Sequence, residues 1–285
     1  MPLNDGSFIV LNDRSVIAIS GTDAPQFLQG IITNDIHKVS PTQTIYAAFL
    51  TPQGKFLADF FILKHQQGFL VDIHHSLVTS LIKRFTMYRL RANVVIEDVS
   101  SQYKVLCLPG TVLSDLKQQH LGFTTTLPVS HAIAYIDPRD ARLGTRVMVC
   151  EALLPPLMDG SNADEYDQLR ISLKIPEGVK DIIPETSFPL DYGLKELHAI
   201  DFKKGCYVGQ EVTARTEYKG KVKKHIVAIT GEASLPAVGE VILDEAVPIG
   251  VMGSSYGKDG LALVKEENSL TQAVTHAGQK LSINS

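Results

Sequence analysis

Cysteine is scarce in this sequence, which has only Cys107, Cys150 and Cys206 among its 285 residues. The number is odd and no two of them have CxxC spacing, so neither a disulfide framework nor a zinc ribbon is supported. Cys107 in "YKVLCL" and Cys150 in "RVMVC" lie in strand-like apolar runs, where a small soft side chain usually packs in a core. We therefore predict reduced thiols, of which only Cys206 is exposed.

Long apolar runs and an excess of basic residues are also missing. Without a long apolar run, no transmembrane helix is predicted. The sequence has 27 lysines and arginines and 31 aspartates and glutamates. The resulting net charge of −4 gives no electrostatic reason to expect a nucleic acid or an anionic membrane as partner. Residues 1–21 resemble neither a secretory signal nor an Arg-rich transit peptide, so the expected location is the cytoplasm.

The apolar patterns that are present predict an α+β protein. Residues 8–19 indicate two short strands, and Pro25 follows in the first turn of a predicted helix. Residues 51–55, "TPQGK", lie between two apolar runs and predict a hairpin. From Ser76 onward the apolar spacing is that of one helix face.

The second half of the chain changes its pattern twice. Residues 101–154 indicate a β-α-β-β order, with the helix at "SDLKQQ". After Lys224 the sequence consists of short strand-like segments separated by Gly, Pro and Asn-Ser breaks, which predicts a small β-barrel. Just before it, "KGKVKK" at 219–224 is a basic run that is either a solvated edge or a site for an acidic partner or a polyglutamate tail.

The segment "KKGCYVGQEVTAR", residues 203–215, holds the strongest candidate for chemistry. Lys203 and Lys204 would stabilise a thiolate at Cys206, which makes it the most reactive thiol candidate. Glycines allow a ligand to approach the backbone closely, and the polar side chains after them offer acceptors and a forked donor. The alternative is a turn before a helix whose charges are simply solvated.

Several segments together resemble the YgfZ family, whose eukaryotic relatives are the IBA57 iron–sulfur assembly proteins. These segments are "KGCYVGQE" followed by "AR", "PLDYGLKELHAIDF", "FLQGIITNDI", "PQGKFLADF" and "IPEGVKDIIPETSFPLDYG". The family is itself similar to the T protein of the glycine cleavage system, which has three domains in a ring with tetrahydrofolate bound centrally. The resemblance implies the same three-domain ring here, with ferredoxin-like α+β domains and a small C-terminal β-barrel. The domains would be 1–100 with 155–220 as a discontinuous folate-binding α+β core, a small α+β domain at 101–154, and the barrel at 221–285.

The resemblance also implies a protein that binds tetrahydrofolate or a derivative and supports assembly or repair of 4Fe–4S enzymes. Its partners would be iron–sulfur enzymes or assembly factors. Cys206 would be the active residue and Lys204 its electrostatic partner. The candidate folate-binding residues, which could supply carboxylates, aromatic surface and cations, are Asp59, Asn34, Tyr207, Gly209, Gln210, Glu211, Arg215, Glu185 and Arg89.

Three of these residues have plainer alternatives. Asn34 would instead shape a turn, Arg89 would cap the preceding helix, and Glu185 would be a solvated loop charge. No metal site within the chain is predicted, because a 4Fe–4S centre normally uses four thiolates and only one exposed thiol is expected.

One departure from the T protein bears on activity. Where the T protein has an Asp-Asp pair, this sequence has Ala58 followed by Asp59. Aminomethyl transfer is therefore not expected, and the chain is predicted not to be a turnover enzyme by itself. A folate-dependent one-carbon transferase or demethylase and a ligand-free interaction module remain as rival hypotheses.

Overall fold

The computed structural model describes residues 8–127, 132–153, 163–244, 247–265, 272–275 and 280–284. Within these ranges the helices and strands are β1 (Ile9–Val10), β2 (Arg14–Ser20), α1 (Ala24–Ile31), β3 (Ile45–Leu50), β4 (Phe56–His65), β5 (Gly68–His74), α2 (Val78–Arg89), β6 (Val95–Asp98), β7 (Tyr103–Pro109), β8 (Thr124–Thr126), β9 (Ile133–Ile136), β10 (Gly144–Cys150), α3 (Ala163–Ser172), α4 (Gln210–Lys219), β11 (Lys224–Gly231), β12 (Val241–Asp244), β13 (Val247–Tyr256), β14 (Asp259–Lys265), β15 (Gln272–Thr275) and β16 (Lys280–Asn284). None of the helices in these ranges has the length and apolar character needed to cross a membrane.

The chain forms two compact units. Unit 1 consists of Met1–Leu50, Ala58–Tyr166 and Glu196–Val208, and unit 2 consists of Thr51–Leu57, Asp167–Lys195 and Gly209–Ser285. Unit 1 is built on two five-stranded sheets, in the orders β3-β4-β5-β2-β6 and β1-β7-β10-β9-β8. Unit 2 contains a closed barrel in the order β11-β14-β13-β12-β15-β16. The α+β class is confirmed, and the division into three domains stays a prediction.

The first sheet of unit 1 packs its two helices around an aromatic core. α1 follows β2 and α2 follows β5, and each buries one apolar face, as the sequence spacing predicts. Phe85 of α2 is fully buried, with its ring centroid 5.7 Å from that of Phe27 and 5.2 Å from that of Phe49 in edge-on contacts. Pro25 lies in the first turn of α1, where its missing N–H costs nothing.

The predicted hairpin between β3 and β4 is confirmed. The Lys55 carbonyl accepts from Thr51 N at 2.8 Å, and the Thr51 carbonyl accepts from Gly54 N at 2.9 Å. Gly54 has φ of +75°, and a Cβ there would lie 2.9 Å from Cβ of Val212 and 3.2 Å from the Gly209 carbonyl oxygen. The hairpin tip therefore lies directly against the start of α4, and this position requires glycine.

The prediction of a helix at "SDLKQQ" is wrong. Only Ser114–Leu116 forms a single 3₁₀ turn between β7 and β8. Leu113 and Leu116 turn inward to join the apolar core of the second sheet, and Gln118 takes a left-handed conformation with φ of +67°. A left-handed residue ends any α-helix at that point, so tertiary packing of two leucines overrides the weak helical pattern.

Buried charges join the two sheets of unit 1. Asp72 of β5 accepts from Arg14 Nε of β2 at 2.6 Å through Oδ1 and from Arg146 Nη2 of β10 at 2.9 Å through Oδ2. The Tyr135 hydroxyl of β9 also donates to Oδ2, at 3.3 Å. Asp72 and Arg146 are both 0% exposed. The sequence patterns did not reveal this network, since its members are far apart along the chain.

The C-terminal barrel is confirmed as predicted. Its strands are all paired antiparallel, and the described residues after Lys224 include no helix. Alternating side chains point inward and form an apolar core, of which Ile229, Ile242, Met252 and Leu281 are almost completely buried. A closed barrel leaves no unpaired sheet edge.

Candidate functional site

The predicted active loop packs against the end of α1 within unit 1. The Lys204 ammonium donates to the Gln29 carbonyl at 2.7 Å and to the Ile32 carbonyl at 2.5 Å. In return, Gln29 Nε2 donates to the Lys204 carbonyl at 3.0 Å, and Val208 N donates to the Gly30 carbonyl at 3.1 Å. Residues 29–34 and 198–208 thus form one structure, called here the motif junction. Gln29 was not among the predicted site residues, and the only sign of its role in the sequence is its place in "FLQGIITNDI".

Thr33 and Asn34 complete the motif junction. The Thr33 hydroxyl donates to the Ala199 carbonyl at 2.6 Å, and Asp201 N donates to the Thr33 carbonyl at 3.0 Å. Asn34 Nδ2 donates to the carbonyls of Tyr46 and His198, both at 2.8 Å. Both amide hydrogens of Asn34 therefore bond to backbone oxygens, which gives this residue a structural role beside its predicted role in folate binding.

Lys204 lies in an unusual position for a lysine. Burial lowers the pKa of its ammonium to about 8, although the nearby carboxylates of Asp35 and Asp201 act in the opposite direction. The carbonyls that it binds are those at the C-terminal end of α1, where the partial negative charge of the helix favours a cation. The structure thus gives this ammonium two carbonyl partners within the motif junction. Its predicted action on the thiol of Cys206 stays a prediction.

Cys206 is the exposed cysteine, whereas Cys107 is buried and Cys150 is half-buried. Gly205 before it has φ of +91° and open space around the position of a Cβ, and Tyr207 after it is only 8% exposed. The Tyr207 ring centroid lies 5.0 Å from the Lys204 ammonium. Lys204 and Tyr207 therefore anchor the loop while Cys206 between them faces solvent. In the described part of the chain, no group of three or more His, Cys, Asp or Glu side chains could hold a metal ion.

We expect the three cysteines to alkylate at neutral pH in the order Cys206, Cys150, Cys107. Cys206 is exposed on its loop, and Cys107 can react only when β7 opens, because its side chain is 1% exposed. Mass spectrometry of iodoacetamide-treated protein over time measures all three rates in one sample. A repeat in denaturant is the control, since the three rates should then converge. If Cys206 is the slowest thiol in the native protein, the loop assignment is wrong.

Asp59 of β4 lies in a different part of unit 1. It is 2% exposed, and its Oδ2 accepts from the Tyr46 hydroxyl at 2.6 Å. The Tyr46 and Phe61 ring centroids are 5.1 Å apart, and the Arg139 guanidinium lies 5.5 Å and 4.9 Å from them. A carboxylate, aromatic rings and a cation are the group types that a pterin and its anionic tail require. All four side chains are at most 3% exposed, and the Arg139 guanidinium is paired with Asp137 at 2.7 Å, so their part in folate binding stays a prediction. Sequence patterns showed only a strand at Tyr46.

The remaining candidates are not among the residues of the motif junction. In unit 1, Arg89 at the end of α2 donates to the Val94 carbonyl at 2.9 Å. In unit 2, Glu185 is exposed with φ of +65°. Gly209 caps α4 with φ of +82°, and Gln210 is the first residue of that helix. The next polar pair on α4 is Glu211 and Arg215, which form an exposed ion pair of 2.7 Å. Their roles in folate binding stay predictions.

Comparison with protein families divides the chain into two matched regions. Residues 11–145 match the family model of the GCVT N-terminal domain, and residues 223–285 match that of the CAF17 C-terminal β-barrel domain. Among solved structures, the glycine cleavage system aminomethyltransferase T from Bartonella henselae superposes with a TM-score of 0.76 over 98% of this chain and 84% of that one. The sequence identity is 16%, so this likeness shows the fold alone.

Curated relatives share sequence over most of the chain. The mitochondrial iron–sulfur cluster assembly factor IBA57 of Mus musculus is 32% identical over 284 residues, covering 90% of this chain and 77% of its own. The human protein of that name is 31% identical, with the same coverage of both chains. The IBA57 homologue of Mycosarcoma maydis is 34% identical over 76% of this chain, which spans 55% of that relative's length. The chain thus spans about half of this longer fungal protein.

Proposed function

We propose that this chain, which belongs to the IBA57 family of iron–sulfur cluster assembly factors, supports the assembly or repair of 4Fe–4S clusters in client enzymes. Cys206 is its active residue in this proposal. The observation that carries it is the exposed position of Cys206 on a loop that Lys204 and Tyr207 anchor, within the family motif itself. A loop anchored on both sides of Cys206, by Lys204 and Tyr207, positions one thiol without burying it.

One thiol restricts what the chain can do with a cluster. A 4Fe–4S cluster takes four thiolates, and Cys206 can supply one of them, so the remaining ligands belong to a client or to another assembly protein. The Cys206 thiolate could instead attack a disulfide of a client, forming a mixed disulfide and releasing the second client cysteine as a thiolate. In the first case the cluster is cargo, and in both cases the protein's task is to present one exposed sulfur at the surface of unit 1.

A reduced folate is the proposed ligand of unit 1, where it would supply a carrier of one-carbon units. Asp59 would accept hydrogen bonds from the pterin N–H groups, and the Tyr46 hydroxyl, now bound to Asp59, would hold that carboxylate in place. Because Ala58 stands beside Asp59, a second carboxylate for transfer chemistry is missing at that position, and we propose binding without transfer.

The function is tested in cells that lack the protein. We expect such cells to lose activity of a 4Fe–4S enzyme such as aconitase while a 2Fe–2S enzyme keeps its activity, and we expect the full chain to restore the loss. Immunoblots for both enzymes separate cluster loss from lower enzyme abundance. Equal aconitase activity with and without the chain would refute the proposed function.

Replacing Asp59 with asparagine should remove stabilisation by folate. For the parent chain, 5-formyltetrahydrofolate at about 100 times its Kd should stabilise the folded state by roughly 2.7 kcal/mol, seen as a raised Tm. Asparagine keeps the size of the side chain but loses the charge that would bind the pterin. Glu97→Gln, on the exposed face of β6, is the matched control and should keep the full shift. A full shift in Asp59→Asn would remove Asp59 from the site.

A further inference from the structure

Unit 2 contains a cavity that is lined neither by Cys206 nor by any of the candidate folate-binding residues. Its volume is about 560 Å³, within the range of small-molecule sites. Its walls come from the hairpin tip at Lys55, the loop 183–192, α4, the segment 221–224 and the barrel strands β13 and β14. All of these segments lie in unit 2. We call this cavity the lysine pocket.

The charges around the lysine pocket are mostly positive. Lys55, Lys221, Lys223 and Lys224 line it, against the single lining carboxylate of Asp191 within the described residues. Burial raises the pKa of Asp191, and the ammonium groups of Lys224 and Lys55 oppose this rise. Four ammonium groups against one half-buried carboxylate produce a positive potential in a concave site, which attracts anions. This local charge contrasts with the net charge of −4 for the whole chain.

The wall beside these lysines is apolar. Phe188 is 37% exposed and Ile183 is 48% exposed, both large side chains left facing the cavity or solvent. The Lys55 ammonium lies 3.5 Å from the Phe188 ring centroid and donates to the Thr186 carbonyl at 2.7 Å. This contact fixes the ring and the charge next to each other. A ligand with a flat apolar body and acidic groups at its edge would satisfy both surfaces.

We propose that the lysine pocket binds a small organic anion that combines a flat apolar body with two or more acidic groups, carboxylates or phosphates. The ammonium groups of Lys223 and Lys224, both exposed, would meet the acidic groups. The ring of Phe188 and the side chain of Ile183 would cover the body. Neither Asp59 nor Cys206 lines the pocket, so the proposal does not depend on the function proposed above.

Titration calorimetry of the full chain with benzene-1,3,5-tricarboxylate tests this site. We expect saturable binding that weakens as NaCl is raised, since the lysines are exposed to screening. The Lys223→Gln, Lys224→Gln double variant should bind about tenfold or more weakly, since each charge-assisted contact contributes substantially to affinity. Lys258→Gln, an exposed lysine on the turn between β13 and β14 of the same unit, should bind like the parent. Equal affinity of all three proteins would overturn the proposal.

Three further ligands sharpen the result. Propane-1,2,3-tricarboxylate has the acidic groups without the ring and should bind more weakly, and equal binding would overturn the apolar part of the site. Adenosine 5′-diphosphate carries phosphates where benzene-1,3,5-tricarboxylate carries carboxylates. If one of the two binds more tightly, and the Lys223→Gln, Lys224→Gln double variant weakens that binding, its acidic group is the one that the pocket recognises. If 5-formyltetrahydrofolate displaces the tricarboxylate competitively, the pocket is part of the folate site and the proposal of a separate site fails.

Discussion

Replacing Cys206 with serine is expected to abolish support of 4Fe–4S client enzymes while the fold and folate binding remain unchanged. The side chain is exposed, so the change removes no buried contact. A serine hydroxyl does not ionise at neutral pH and so offers neither a thiolate ligand nor a partner for a mixed disulfide. Aconitase activity should fall to the level of cells that lack the protein. The Tm of the purified variant should stay within about 1 °C of the parent.

The control for this result is Cys150→Ser, since Cys150 is half-buried at the end of β10 and lies outside the motif junction. That variant should keep client activity. If Cys206→Ser supports aconitase as well as the parent does, the loop is a packing element and the role of its thiol is wrong. If both variants lose activity together with a lower Tm, the effect is structural and the comparison again counts against Cys206.

The α+β class, the hairpin at residues 51–55 and the C-terminal barrel followed from local patterns. Each of these depends on residues close together in sequence, where turn chemistry and alternating apolar positions act directly. The prediction of a helix at "SDLKQQ" was wrong because the outcome there depends on tertiary packing. Inward packing of Leu113 and Leu116 outweighs a short helical pattern.

The sequence indicated which residues to consider for the candidate site, but it could not indicate which residues they contact. The motif "KGCYVGQE" indicated Cys206 and Lys204, but no local pattern could show that the Lys204 ammonium binds carbonyls 172 and 175 positions away in sequence. The hydrogen bond from the Tyr46 hydroxyl to Asp59 was equally unpredictable from local sequence, since a tyrosine in a strand-like run indicates only burial. Such pairings depend on how the sheets and helices pack together.

The buried charges of unit 1 lead to the largest expected change in stability, that of Asp72→Asn. The carboxylate of Asp72 balances two guanidinium groups, those of Arg14 and Arg146, and all three side chains are at most 2% exposed. Removing the negative charge breaks the ion pairs with Arg14 and with Arg146, although Arg146 keeps its 3.9 Å pair with Asp137. Breaking a buried ion pair typically costs about 3–5 kcal/mol. We expect Asp72→Asn to lower the Tm of the full chain by several degrees or to prevent folding.

The same group predicts how stability depends on pH. Burial raises the pKa of Asp72, but the charges and hydrogen bonds of Arg14 and Arg146 overcome this and leave the pKa below its ordinary value. A carboxyl with a lowered pKa in the folded state contributes its full stability above its unfolded pKa of about 3.9 and loses it as the pH falls further. The parent should therefore lose stability below about pH 4 more steeply than Asp72→Asn, which has no such carboxyl to protonate.

Urea unfolding at pH 7 and at a series of acid values measures both effects. Tyr135→Phe removes the hydroxyl that donates to Asp72 at 3.3 Å and also hydrogen-bonds with Arg146. It should cost about 1 kcal/mol, so it stays measurable even where Asp72→Asn does not fold. Glu151→Gln breaks the half-exposed ion pair with Lys104 in the same unit and should cost less than about 1 kcal/mol. If Asp72→Asn is no less stable than Glu151→Gln, the buried network does not hold the two sheets together, because its central charge could then be removed without consequence.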